Sequence, residues 1–294
     1  MSKSSVSLYK RSWALFQMCI QESKGTNVDI DNLPLSSKQV VYFISYLNLK
    51  GYAATSIISY ISAIGFLHKI FDLPDPTQNF LVQKLLAGIN KKFGKQDTRL
   101  PITIFILHRL VDSLAKTNNI RYHRSLLKAM YLIAFYGLFR IGEITIQVDG
   151  SIALHIEDIK LGNDELSIFI TNFKHNTSQK PFKISIKSQS DGEFCPVRAM
   201  HEYLSLRGYK PGPLFCFADL KPIPRSFFVS RLKHSLNFCG LDTKYYQSHS
   251  FRIGSASFLS SQGFTDEQIQ KLGRWKTNAF VTYIRGLLYK LKLK

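Results

Sequence analysis

The chain is poor in acidic residues: 20 Asp and Glu stand against 39 Lys and Arg among 294 residues, a formal net charge of +19. Such an excess is larger than solubility requires and predicts attraction to a polyanion. Basic peripheral membrane proteins usually concentrate their charge in an amphipathic helix or a polybasic tail. Here the charge is spread along the chain, which favours a nucleic acid over a membrane surface as the partner.

Groups that bind metals or form disulfides are also scarce. The cysteines are isolated from one another, without the spacing of a zinc knuckle or a redox pair; they are Cys19, Cys195, Cys216 and Cys239. The acidic residues are not clustered, and no two histidines have the spacing of metal ligands. We therefore expect no metal, no cofactor, and buried thiols in a reducing compartment.

Long apolar runs are missing from the sequence. No run approaches the roughly 18 residues that a membrane-spanning helix needs. The first residues, MSKSSVSLYKRSW, lack the apolar core of a signal peptide. These features predict a soluble, intracellular protein without a membrane partner.

The first 97 residues have the pattern of a helical bundle. Apolar residues recur at helical spacing between residues 8 and 20, and further helices are predicted from residue 36 or 37 to Gly51, over 53–71 and over 77–93. The polar stretch 94–101, with a glycine at its start and a proline at its end, is typical of a linker. We therefore predict a compact helical bundle over residues 1–97.

The remainder, residues 98–294, has a mixed pattern. Helices are predicted over 102–116 and 121–138, strands over 153–160, 165–173 and 181–187, and helices again from Cys195 onward. The polar stretch from Lys174 to Lys180 is interpreted as a hairpin loop between the last two strands. The fold class predicted for the chain is mainly α with a small antiparallel β-sheet.

Both parts of the chain are basic. Residues 1–97 hold 11 basic and 6 acidic residues, and the remainder holds 28 and 14. Both parts are therefore expected to contact the same polyanion. A C-shaped clamp that closes on duplex DNA from two sides would have this distribution of charge.

The chemistry of DNA phosphodiester cleavage directs the search for an active site. Negative charge accumulates on the nonbridging oxygens in the transition state, so fixed cations must converge there. A nucleophile must attack in line, and the leaving oxygen needs a proton. Because carboxylates are not clustered in this sequence, an arginine-rich site with a covalent nucleophile and no metal fits best.

Four segments of the second part supply such groups. They are residues 137–143 with Arg140 and Glu143, the hairpin loop with Lys174, residues 248–252 with His249 and Arg252, and residues 272–285 with Trp275 and Tyr283. Each alone has an ordinary structural explanation. An arginine after an apolar helix can cap that helix, a hairpin lysine is normally solvated, and a Tyr or Trp in a helical region usually belongs to the core. The order and spacing of the four together are what point to function.

In that order the segments resemble the tyrosine recombinases, also called the phage integrase family, whose catalytic set runs Arg, Lys, His-x-x-Arg, His or Trp, Tyr. The matching positions are Arg140, with Glu143 at the accompanying acidic position, then His249 and Arg252, Trp275 and Tyr283. Lys174 falls in the hairpin where the family keeps its lysine, and Lys180 at the end of the same loop is an alternative. The stretch GRWKTNAFVTYIR is most similar to recombinases of DIRS-type retrotransposons and cryptons.

The resemblance implies a division of labour in the site. Arg140 and Arg252 would hold the nonbridging oxygens, while His249 and the Trp275 indole N–H would add hydrogen bonds. Lys174 would protonate the departing 5′ oxygen. Tyr283 would attack phosphorus and form a covalent 3′-phosphotyrosyl intermediate. That intermediate preserves the energy of the phosphodiester bond, so neither ATP nor a metal would be needed.

The resemblance also predicts how the chain engages DNA. The first domain would be a core-binding, SAM-like domain, and the expected DNA contacts are Thr55, Ser56, Ser59, Lys91 and Lys92, with Arg99 at the start of the second domain. We expect double-stranded DNA and no small molecule as substrate. Each subunit cleaves one strand, so exchanging two duplexes takes four cleavages and predicts a tetramer on DNA. A eukaryotic mobile element would place the protein in the nucleus.

Two other functions remain open from the sequence. A type IB topoisomerase uses the same chemistry but usually has Lys in place of His249 and His near Trp275. A noncatalytic DNA-binding protein descended from a recombinase would be expected to have lost part of the set.

Overall fold

The structure is a computed structural model that describes residues 3–25, 33–94, 97–147, 149–152, 154–173, 176 and 180–284. The chain divides into two compact units, Met1–Asp97 and Thr98–Lys294. Among the described residues, none of the helices combines the length and the apolar character needed to cross a membrane.

The first unit is built from helices. They are α1 (Lys3–Lys24), α2 (Ser37–Leu49), α3 (Ala54–Ile70) and α4 (Phe80–Phe93). The polar residues before α2 and α4 start these helices: the Ser36 hydroxyl accepts a hydrogen bond from Gln39 N, and the Asn79 side chain accepts one from Leu81 N. Helix α1 packs on α3 and α2 packs on α4. Their apolar faces enclose one core that includes Phe16, Phe43 and Ile61.

The second unit is mainly helical and contains a small sheet. Its helices are α5 (Ile104–Thr117), α6 (Arg121–Tyr136), α7 (Ile141–Ile144), α8 (Pro196–Arg207), α9 (Arg225–Phe238), α10 (Ser250–Ser261) and α11 (Asp266–Leu272), followed by a 3-10 turn over Asn278–Tyr283. Helix α6 is the centre of the core and contacts α5, α8 and α10. Its run from Ala129 to Phe135 is buried throughout.

The sheet is antiparallel and has the order β1 (Ile159–Leu161), β2 (Glu165–Ile170), β3 (Phe182–Lys187). Ile168 lies opposite Ile159 on one side and Ile184 on the other, so the alternating apolar residues share one face. That face packs on α8. The predicted fold class, mainly α with a small antiparallel sheet, is confirmed.

Several predicted boundaries are wrong. The strand predicted over 153–160 begins only at Ile159, because the Asp158 carboxylate accepts a hydrogen bond from His155 N at 2.7 Å and closes a 3-10 turn first. The strand predicted over 165–173 ends at Ile170. The fourth helix begins at Phe80 rather than at residue 77, after a 3-10 turn that starts at Pro76.

Candidate active site

The first part of the site is the turn that follows helix α6. Leu138 has a φ of +49° and reverses the chain direction, and Arg140 then caps the short helix α7. The Glu143 carboxylate folds back on this turn: its Oε2 accepts a hydrogen bond from Arg140 N and its Oε1 accepts one from the Arg140 guanidinium, both at 2.9 Å. The Arg140 side chain is 25% exposed. It is thus held in place by a carboxylate and still reaches the surface.

A buried arginine that the sequence interpretation missed completes this turn. Arg274 donates to Glu143 Oε2 at 2.9 Å, and its side chain is only 1% exposed. Burial acts to raise the pKa of Glu143, but the nearby charges of Arg274 and Arg140 outweigh burial and lower it. Glu143 is therefore ionised at neutral pH and joins two arginines.

Helix α10 carries the second predicted arginine. His249 caps this helix, and Arg252 lies in its first turn, 1% exposed. The Arg252 guanidinium donates to the carbonyl oxygens of Leu138 and Gly273. Burial first, and then the positive charge of Arg140, lowers the pKa of Arg252 well below its usual value. The main chain that turns into Arg140 is therefore tied directly to Arg252.

Trp275 lies over Arg252. The guanidinium carbon is 4.0 Å from the centroid of the indole ring, a cation–π contact. Gly273 permits this arrangement, because a Cβ built on it would overlap the Trp275 ring. The ring also packs against two aromatic rings, with Phe280 at 5.5 Å and Tyr283 at 5.9 Å between centroids.

Tyr283 ends the 3-10 turn and is half-buried beside His249. The two rings are 5.0 Å apart at an interplanar angle of 73°. The carbonyl oxygen of Tyr283 accepts a hydrogen bond from the Ser257 hydroxyl on α10 at 2.9 Å. The segment that carries the predicted nucleophile is thus attached to the helix that carries Arg252.

The structure gathers most of the predicted catalytic residues into one cluster, defined here as Arg140, Glu143, His249, Arg252, Arg274, Trp275 and Tyr283. Lys174 lies outside the described residues. The residue before it, Phe173, has its ring centroid 5.9 Å from the Arg274 guanidinium, so the predicted hairpin loop starts beside the cluster. Lys180, at the other end of that loop, is exposed.

No protein-family model and no curated protein matches the chain. Solved structures do. XerH site-specific recombinase, bound to a palindromic difH substrate in a post-cleavage complex, superposes with a TM-score of 0.67 at 17% identity, covering 95% of this chain and 78% of that one. The chain has the tyrosine recombinase fold.

Two further structures share this recombinase fold. The Tn1549 transposon integrase in complex with transposon right end DNA has a TM-score of 0.66 at 13% identity, with 99% of this chain and 94% of that chain covered. A lambda integrase dimer bound to a COC′ core site has a TM-score of 0.64 at 14% identity, with 97% and 90% covered. The similarity therefore extends through both units of the chain.

The predicted DNA contacts lie on two helices of the first unit. Thr55 is exposed at the start of α3, with Ser56 and Ser59 half-buried along it. Lys91 and Lys92 are exposed in the last turn of α4. Arg99 is half-buried near the start of the second unit. These side chains are placed on surfaces that a ligand can reach.

A metal ion has no ready-made site in the described part of this recombinase fold. Groups of three or more His, Cys, Asp or Glu side chains that could hold an ion were not found among the residues that the structure describes. The charged groups of the cluster are mainly guanidinium cations. Such groups bind phosphate oxygens through paired N–H donors and do not ligate metals.

Proposed function

We propose that the chain is a site-specific DNA recombinase or integrase that cleaves and rejoins strands through a covalent 3′-phosphotyrosyl intermediate on Tyr283. One observation carries this proposal. Arg140, His249, Arg252, Trp275 and Tyr283 come from segments far apart in the sequence and meet in one cluster, within the fold of proteins solved on DNA.

The charge of the cluster supports binding of a phosphate. The Glu143 carboxylate lies within the field of three guanidinium groups, those of Arg140, Arg252 and Arg274. The cluster is thus left with an excess of positive charge, and two of the guanidinium groups are almost fully buried. An anion bound beside buried cations has a stronger electrostatic interaction with them than it would have at the protein surface.

Cleavage in this site is a transesterification. The Tyr283 hydroxyl loses its proton to water, its oxygen attacks phosphorus, a bond forms between them, and the bond from phosphorus to the 5′ oxygen breaks. Arg140 and Arg252 neutralise the nonbridging oxygens, and His249 donates a further hydrogen bond. Lys174 gives a proton to the departing 5′ oxygen. Rejoining reverses these steps when the 5′ hydroxyl of another strand attacks the phosphotyrosine.

Recombination requires strand exchange between two duplexes in addition to cleavage. We propose that two subunits occupy each site and four form the synapse, with Thr55, Ser56, Ser59, Lys91, Lys92 and Arg99 contacting the DNA backbone. A transposon integrase is among the proteins that share the fold. The sequence GRWKTNAFVTYIR adds to this support for a mobile element of DIRS or crypton type, and hence for the nucleus of a eukaryotic cell.

A covalent trap tests the function without knowledge of the target. Purified protein is incubated with a pool of duplexes of randomised sequence, each nicked so that cleavage releases a short 5′-hydroxyl strand and prevents rejoining. Adducts that resist detergent are recovered, and their DNA is sequenced. We expect a 3′ adduct with a common sequence for the wild-type protein and none for Tyr283→Phe.

The matched control is Tyr245→Phe, which removes the hydroxyl of a half-buried tyrosine a few residues before His249. It should form the adduct as the wild type does. An adduct with no sequence preference, together with relaxation of any supercoiled plasmid, would indicate a type IB topoisomerase instead. DNA binding without an adduct would indicate a noncatalytic binding protein.

A further inference from the structure

Arg274 joins the two turns that carry the predicted catalytic side chains. One turn, residues 137–140, leads from α6 into Arg140. The other, residues 272–275, leads from α11 into Trp275 and on to Tyr283. Arg274 belongs to the second turn and donates to the Leu138 carbonyl at 3.1 Å and the Gly137 carbonyl at 3.3 Å in the first.

The side chain of Arg274 is enclosed on every side that the structure describes. Its guanidinium lies 5.1 Å from the ring centroid of Phe139 and 5.9 Å from that of Phe173. Its side chain is 1% exposed, against 25% for Arg140. Arg274 is therefore enclosed by protein in this structure, whereas Arg140 reaches the surface. Arg252 is also buried, but it differs from Arg274 in lying directly beneath the Trp275 ring.

Glu143 makes Arg274 and Arg140 interdependent. The Oε1 atom accepts from the Arg140 guanidinium, and Oε2 accepts from both Arg140 N and Arg274, each at 2.9 Å. Removing Arg274 would leave the carboxylate held only by Arg140 and would let it shift away from the turn of residues 272–275. The Arg140 guanidinium would follow, because Glu143 is its partner on the protein side.

The backbone is strained at both ends of the hydrogen bond between Arg274 and Leu138. Arg274 and Leu138 both have positive φ, +56° and +49°, which is unfavourable for residues with a side chain. The Leu138 carbonyl accepts hydrogen bonds from both Arg252 and Arg274. Two of the four non-glycine residues with positive φ in the described part of the chain thus meet here, and three arginines are connected through one peptide and one carboxylate.

We propose that Arg274 is a positioning residue, which sets the geometry of Arg140 through Glu143 and of Arg252 through the Leu138 carbonyl without contacting DNA. This role rests on the proposed function, since it serves the cleavage step. It predicts that loss of Arg274 slows strand cleavage while leaving DNA affinity nearly unchanged.

The test compares Arg274→Met, Glu143→Gln and the double variant on a cleavable duplex recovered from the covalent trap. Single-turnover adduct formation and fluorescence anisotropy on the same duplex give the cleavage rate and the affinity separately. We expect each single variant to lose about 100-fold in rate, as misplaced catalytic groups do, and the double variant to lose no more than the worse single variant.

Two further variants keep the test decisive. Arg274→Lys retains the charge but cannot donate to Glu143 and Leu138 with one rigid fork, so an intermediate rate is expected; it also serves if Arg274→Met does not fold. Arg207→Met is the matched control: Arg207 is buried too, and its hydrogen bonds within the described part of the chain go to the carbonyls of Gly208, Lys210 and Pro213. It should lower stability and leave the cleavage rate of the folded protein unchanged.

The results separate this inference from the proposed function. A wild-type adduct together with full activity of Arg274→Met would overturn the positioning role and leave the function standing. A loss of DNA affinity as large as the loss of rate would also overturn the positioning role, because it would make Arg274 a phosphate ligand. Additive losses of rate in the double variant would overturn it as well. Absence of any wild-type adduct would overturn the function. In that case a double-mutant cycle on urea unfolding still measures the Arg274–Glu143 link, and additive effects there would overturn the link.

Discussion

The indole ring of Trp275 covers the guanidinium of Arg252 at 4.0 Å, and Arg252 is 1% exposed beneath it. A phosphate that binds Arg252 must therefore reach a group that Trp275 shields. The proposed function requires this ring to move aside or tilt when DNA enters. Trp275 is therefore a candidate phosphate ligand that also covers a second candidate ligand, Arg252.

The first prediction uses the fluorescence of Trp275 to detect movement of its own ring when DNA binds. The chain has two tryptophans, and Trp13→Phe leaves Trp275 as the only one. Binding of duplex DNA should then change the emission of Trp275, because the ring leaves the guanidinium and meets a different environment. Trp275→Phe in the same background supplies the blank. Saturated binding with an unchanged spectrum would mean that Arg252 stays covered, and that the phosphate is held without it.

The second prediction concerns the proton donor. Lys174→Ala should lower the cleavage rate by about 100- to 10,000-fold, the usual contribution of a general acid. A substrate with sulfur in place of the bridging 5′ oxygen should restore the rate, because a thiolate leaves without protonation. Lys180→Ala is the matched variant at the other end of the loop and should cleave both substrates normally. If the rescue follows Lys180 instead, the two assignments are exchanged.

The third prediction is a pH dependence of stability. The pKa of Glu143 is lowered in the folded protein, so its contribution to stability is present above the ordinary carboxyl pKa of about 4.3 and is lost as the pH falls through the lower folded value. Glu143→Gln should cost about 3–5 kcal/mol near neutral pH, as breaking a buried ion pair does, and should lose less than the wild type on acidification.

Urea unfolding at neutral and acidic pH, followed through Trp275 in the Trp13→Phe background, measures this difference. Glu165→Gln is the control. Its pKa is also lowered, by hydrogen bonds from Ser167 and Ser185 and by Lys183, but the side chain is exposed to solvent. Its replacement should change the pH profile little. Equal profiles for the wild type and Glu143→Gln would contradict the ion-pair network.

The fourth prediction concerns DNA binding by the first unit. Lys91→Ala and Lys92→Ala should each weaken binding on all sequences and reduce the salt slope of log K by about 1, as the loss of a phosphate contact does. Lys69→Ala removes the same charge from the end of α3, where the lysine pairs with Asp75 at 3.5 Å. If Lys69→Ala changes the slope as much, the effect belongs to net charge and not to a contact.

The fifth prediction compares two helical glycines. A Cβ on Gly254 in α10 would overlap the backbone of Ile102, which cannot move like a side chain, whereas a Cβ on Gly88 in α4 would meet open space. Gly254→Ala should therefore destabilise the protein by about 1–3 kcal/mol or more. Gly88→Ala should stabilise it by about 0.5–1 kcal/mol. Thermal unfolding of both variants decides the matter, and a neutral Gly254→Ala would show that α10 can shift.

Local patterns predicted much of this architecture. Capping residues and apolar spacing locate α2 closely, and the Arg140–Glu143 pair could be inferred because both residues lie in one short motif. The prediction begins the first strand too early because alternating apolar residues around Leu154 and Ile156 look like a strand. The Asp158 carboxylate, bonded to His155 N, determines a 3-10 turn there instead.

The role of Arg274 could not be predicted in this way. Its partner Glu143 is 131 positions away, and in the sequence it is only an arginine beside a tryptophan. The same limit applies to the cover that Trp275 places over Arg252. The spacing of residues in the sequence identifies the candidate catalytic side chains. Which of these side chains covers another depends on how turns distant in the sequence pack together in the fold.

The start of the second unit has a mechanical consequence. Leu100 N donates to the Tyr245 carbonyl at 2.8 Å, and Ile102 N donates to the Ser250 carbonyl at 3.0 Å. These bonds attach the incoming chain on both sides of His249. A force applied to the chain before Leu100 would therefore act on the main chain on either side of His249, the predicted catalytic histidine. A flexible connector without these hydrogen bonds would not transmit that force. Tension along the polypeptide thus becomes a load on the first turn of α10.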